Sequence, residues 1–163
     1  MPLLDKISQL LNQALLWIAG LFLLGMISIT GANIVVRFFG FPLRGTFELM
    51  GYFGAVVTAF ALGYTQVKRG HIAVDIVVLR FSEKTRRILD AVNHLVCMTF
   101  FIIVTRQVFN YAATLRETGE VTETLQIIYY PFTYAVALGC LILAFTFLVD
   151  FLKSIIGERG GRP

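Results

Sequence analysis

Four apolar runs, each long enough to cross a bilayer, leave this chain little choice of fold. They cover about residues 13–36, 47–67, 88–108 and 130–151. A helix needs roughly 20 mostly apolar residues to cross a hydrocarbon core about 30 Å thick. Inside that core a helix satisfies every backbone polar group within its own segment. The 163 residues are 57% hydrophobic and only 15% charged, with a mean hydropathy of +0.77. What lies outside the runs supplies short loops and tails, too little for a soluble catalytic domain. The expected fold class is therefore an all-α integral membrane protein, a single four-helix membrane domain over residues 1–163. A further interfacial amphipathic helix is expected between the second and third spans.

That interfacial arm, about residues 70–82, follows from a short run between basic clusters. The second span stops at Lys68-Arg69-Gly70-His71. Ile72–Leu79 follows, broken only by Asp75 and closed by Arg80, Lys84, Arg86 and Arg87. About eight residues cover roughly 12 Å as a helix, which cannot cross the core. A short apolar helix flanked by cations suits the headgroup boundary instead. Lys68, Arg69, Arg80, Lys84, Arg86 and Arg87 are the expected anchors to membrane phospholipid. His71 and Asp75 stand four apart, so they either pair to shape the arm or His71 makes ordinary interfacial hydrogen bonds.

The cations also set an orientation. Ten of the 14 Lys and Arg residues fall on one side: Lys6, Lys68, Arg69, Arg80, Lys84, Arg86, Arg87, Lys153, Arg159 and Arg162. Arg37, Arg44, Arg106 and Arg116 fall on the other. The positive-inside rule then places both termini and the basic arm in the cytoplasm, and the acidic loop with Glu117, Glu120 and Glu123 outside. The net charge of +4 fits basic loops facing anionic lipid. No basic–aromatic module for nucleic acid is present.

Within the spans, residue types suggest contacts. Leu3, Leu4, Ile7, Leu10 and Leu11 share one helical face, which predicts a surface-lying lead-in to the first span. Trp17 suits an interface, and Gly25, Ser28 and Ala32 form a narrow edge. Thr46 is the expected N-cap of the second helix and Ser82 of the third. Glu48 then lies in a first turn, where the helix dipole favours a carboxylate. Alternatively it forms a structural ion pair with Arg37 or Arg44. Gly51, Ala55, Ala59 and Gly63 recur every fourth residue, a stripe that lets another helix approach closely, within this chain or from a partner. Asp90 and His94 share a face near a span end, either as a polar helix end or as a buried contact to a partner subunit. Tyr129, Tyr130, Phe132 and Tyr134 form an aromatic belt. Cys97 and Cys140, in separate runs and without metal spacing, read as packing residues.

No catalytic constellation emerges: there is no Ser/His/Asp set, no HExxH, no P-loop and no GxGxxG opening a helix. The charges gather near span ends, whereas a carrier normally buries titratable groups near the midplane. Neither catalysis, a bound cofactor nor a metal is expected. An accessory or anchor subunit is.

A family resemblance sharpens this. Arg37-Phe-Phe, then Pro42-Leu-Arg-Gly-Thr-Phe-Glu48-Leu, a Gly/Ala-rich span, and Lys68-Arg-Gly-His-Ile-Ala-Val-Asp75 together resemble the small membrane subunit of tripartite ATP-independent periplasmic (TRAP) transporters, the DctQ-like family. The resemblance is strongest over about Ile34–Asp90. It implies a larger membrane subunit that carries substrate with sodium, and a periplasmic binding protein that delivers an organic acid anion. The small subunit would buttress the first and help dock the second, in a bacterial or archaeal cytoplasmic membrane. The rival reading is a haem-binding anchor of a quinone-linked oxidoreductase, with His71 and His94 as ligands.

Overall fold

The computed structural model describes residues 2–41, 43–68 and 83–156. Four helices make up most of them: α1 (Pro2–Phe38), α2 (Thr46–Val67), α3 (Glu83–Thr118) and α4 (Tyr130–Ile156). Each holds a stretch long and apolar enough to cross a membrane. Among the described residues there is no strand, only one isolated bridge between Val121 and Ile128. The expected arm, with Arg69, His71, Asp75 and Arg80, lies outside the described residues, as does Ser82.

α1 runs unbroken for 37 residues, about 55 Å at 1.5 Å per residue. The lead-in expected to lie on a surface is therefore the beginning of this one helix. Its orientation also differs from the expectation. Leu3, Ile7 and Leu10 face outward, while Ser8 and Asn12 are buried. The reason is the solvent: in a bilayer, apolar side chains lose nothing by facing out, and polar ones find partners by facing in.

α1, α2 and α4 pack on one another, and α3 leans on α4. The shared core joins Leu15 and Ala19 of α1, Val56, Ala59 and Phe60 of α2, and Ile142 of α4. Small residues let two of its backbones meet. A Cβ at Gly139 of α4 would lie 2.8 Å from the Ala59 carbonyl oxygen of α2, so the two backbones meet only because position 139 has no side chain. α3 is held to α4 through Ala112 and Leu115, both buried, and through aromatic pairs such as Phe101 on Phe147 (5.8 Å) and Phe109 on Tyr134 (5.2 Å).

The antiparallel order gives the bundle a loop end, with residues 39–45 and 119–129, and a terminal end where α1 starts and α4 finishes. At the loop end, Gly45 rather than Thr46 caps α2. Gly45 takes φ 76°, in the left-handed region, and a Cβ there would collide with Leu125. Thr46 is the first helical residue, and its hydroxyl donates back to the Leu43 carbonyl at 3.0 Å.

Candidate functional site

The loop end carries the most specific geometry among the described residues. Gly119 (φ 67°) turns the chain out of α3, and residues 120–129 fold back on themselves. The Thr122 amide donates to the Ile127 carbonyl at 3.0 Å, and the Gln126 amide to the Thr122 carbonyl at 3.1 Å. Gln126 takes φ 52°, the one non-glycine positive φ among the described residues. Thr122 is buried, and its hydroxyl oxygen accepts the Ile127 amide at 3.3 Å.

This bend presents two backbone amides to α2. Thr124 donates to Glu48 Oε1 at 2.7 Å and Leu125 to Glu48 Oε2 at 3.1 Å. One carboxylate thus clasps a loop more than 70 residues away by two charge-assisted hydrogen bonds. That corrects the expected structural ion pair: no salt bridge joins Glu48 to Arg37 or Arg44 among the described residues, and both arginines are exposed. The physical reason is reach. The loop brings amide donors against both oxygens, and Leu125 packs over Gly45 beside them.

Aromatic rings build the floor behind this clasp. Tyr52 stacks on Tyr129 (5.3 Å) and on Phe132 (5.6 Å), and Phe22 meets Phe53 edge-on at 5.0 Å. The Tyr129 hydroxyl donates to Glu120 Oε2 at 2.8 Å. That bond, with partial desolvation and the nearby Tyr111, holds the Tyr129 phenol protonated well above its usual range. Between α2 and α3, beneath the loop, opens a cleft of about 760 Å³. Gly51, Ala55 and Val136 line its apolar part, while Tyr111, Glu120 and Glu123 line the part nearest the loop.

The small-residue stripe of α2 divides between these settings. Ala59 is buried against Gly139, and Gly63 is buried under the Asn12 side-chain oxygen. Gly51 and Ala55 are exposed to the cleft. Half of the stripe therefore makes an internal contact and half is open.

The terminal end is stitched by polar side chains. Lys153 of α4 pairs with Asp5 of α1 and lies 4.0 Å from Asp150. Gln66 of α2 donates to Asp150 at 2.9 Å. Asn12, fully buried, donates to the Ser8 carbonyl at 2.8 Å and to the Thr146 hydroxyl at 2.9 Å. The sequence signal for these contacts is spacing: Ser8 and Asn12 in α1, and Thr146, Asp150 and Lys153 in α4, stand at helical intervals.

The remaining candidate residues are spread out. Arg87 donates to the Ser154 and Ile155 carbonyls at 3.4 and 3.3 Å, closing the last turn of α4, where a cation is favourable. Lys68 lies 5.8 Å from the Tyr64 ring centre. Lys84 is exposed and Arg86 half-buried. His94 sits against Phe147, ring centres 6.2 Å apart, and Asp90 is exposed. Cys140 is buried and Cys97 partly so, and both are free thiols.

Comparison with known families gives one match. Residues 26–157 match the family described as tripartite ATP-independent periplasmic transporters, DctQ component. The matched region takes in α2, α3 and α4, the Glu48 clasp and the loop it holds. Comparisons with curated proteins and with solved structures gave no match.

Proposed function

The chain belongs to the DctQ component family of tripartite ATP-independent periplasmic transporters, and from that premise we propose that it is the non-catalytic small subunit of such a transporter. In this reading it scaffolds a large sodium-coupled transport subunit and helps a periplasmic substrate-binding protein dock, for uptake of an organic acid anion. The observation that carries the proposal is the family match over most of the chain. The bundle supports it: α3 packs chiefly on α4 and leaves broad apolar flanks, with Val92, Val96, Ile102 and Ile103 exposed. Such flanks are available to lipid or to a neighbouring membrane subunit.

The proposal extends to placement. The cation bias puts both termini in the cytoplasm and the clasped loop in the periplasm, where a soluble binding protein would meet it. From the sequence alone, the proposal includes an interfacial arm over residues 70–82, outside the described residues, anchored by Lys68, Arg69, Arg80, Lys84, Arg86 and Arg87 and shaped by His71 and Asp75. The whole is one membrane domain in a bacterial or archaeal cytoplasmic membrane.

The test is affinity purification of the tagged chain from its native membrane in mild detergent, with mass spectrometry of what accompanies it. A stoichiometric, much larger polytopic protein is expected, and removing the small subunit should abolish uptake by the reconstituted transporter. A coloured sample with a Soret band and soluble redox subunits would overturn the proposal in favour of the haem anchor.

A further inference from the structure

We infer that the cleft between α2 and α3 is a binding site for a phospholipid with a primary-amine headgroup, with the ammonium at the loop and an acyl chain along Gly51 and Ala55. This inference is independent of the assembly role proposed above and rests on the shape and chemistry of the cleft.

The cleft of about 760 Å³ falls within the range of roughly 300–1,000 Å³ typical of small-molecule sites. It is amphipathic along its length. Its apolar part is smooth because position 51 has no side chain and position 55 only a methyl. Nothing lies within 4 Å of where a Gly51 Cβ would be, and Phe132 and Val136 of α4 form the floor. α2 and α3 both pack against α4, so the gap between them faces the side of the bundle, where lipid lies.

The polar part selects for a cation. Glu120 is held in place by the Tyr129 hydroxyl at 2.8 Å. The Glu123 carboxylate is exposed and has no bonding partner among the described residues. The Tyr52 ring, stacked between Tyr129 and Phe132, is fixed beside them. An ammonium is favoured by carboxylates, which accept charge-assisted hydrogen bonds from it. No Lys or Arg lines the cleft, so an anionic head without an amine meets carboxylates and no countercharge. A soluble cation would leave the apolar half empty, whereas an amine-headed lipid fills both halves.

The experiment is native mass spectrometry of the purified full chain from mixed micelles. These contain equal amounts of phosphatidylethanolamine and phosphatidylglycerol with identical acyl chains. Wild type is expected to retain the amine lipid about tenfold better, the scale of one charge-assisted hydrogen bond. Glu123→Gln should remove most of that preference. Glu123 is exposed and makes no hydrogen bond or ion pair among the described residues, so the fold does not depend on its charge. Ala55→Phe, which fills the apolar part, should reduce retention of both lipids. Equal retention of the two lipids by wild type, or an undiminished preference in Glu123→Gln, would overturn the assignment. So would a cross-link placing a partner's basic side chain in the cleft of the assembled complex.

Discussion

At the scale of single residues, Glu48 and Gly45 decide how the loop end is built. A carboxylate in the first turn of a helix is unremarkable by itself. Here both its oxygens are committed to the amides of Thr124 and Leu125, and Gly45 makes room for the Leu125 side chain. Hydrogen bonds to a charged group are stronger than those between neutral groups. Glu48→Gln keeps one acceptor oxygen and loses the charge. Amide hydrogen exchange at Thr124 and Leu125 should accelerate by about tenfold. Arg44→Gln should leave the same amides as protected as in wild type. An equal effect from Arg44→Gln would restore the ion pair that the structure replaces. From sequence, Glu48 stood out as a lone carboxylate at the start of an apolar run. Its partners were not legible, because backbone amides are anonymous in a sequence and these lie more than 70 residues away.

At the scale of elements, helix contacts depend on which small residues face a backbone. Gly139 and Gly51 both offer space, yet only Gly139 is filled by a neighbour, the Ala59 backbone. Gly139→Val should therefore force α2 and α4 apart, since a peptide group cannot swing aside as a side chain does. Overpacking of this kind costs about 1–3 kcal/mol, read as a fall in the detergent melting temperature. Gly51→Val, with nothing within 4 Å, should melt like wild type. If both variants melt alike, the α2–α4 contact is not where the bundle is tight. The every-fourth-residue stripe in α2 was readable beforehand. Its division into a buried half and an open half was not, because the same spacing serves either use. The polar side of α1 followed the same pattern. The apolar positions were plain to see, but hydrophobic periodicity does not say which face turns inward when the solvent is lipid.

At the scale of the whole molecule, the two ends are fastened differently. The terminal end uses side chains from α1, α2 and α4, with Asp5–Lys153, Gln66–Asp150 and Asn12–Thr146 in successive layers. The loop end uses one carboxylate and a stack of aromatic rings. If the loop end faces outward, as the cation bias suggests, a thiol in Glu123→Cys should react with an impermeant maleimide added to intact cells. A thiol in Lys6→Cys should react only after the membrane is opened. The opposite pattern would invert the proposed topology and move the clasped loop away from a periplasmic binding protein.

The sequence by itself determined that this chain is a set of four apolar helices, because length and apolarity suffice when backbone groups have no water to bond. It also carried the motifs of the family, which are local in the chain. Only the tertiary structure decided that α1 buries its polar side, that Glu48 holds the distant loop, and that a cleft remains between α2 and α3. Each of these depends on which residues meet across the bundle. In a bilayer, hydropathy distinguishes membrane from water but not the inside of a bundle from its outside.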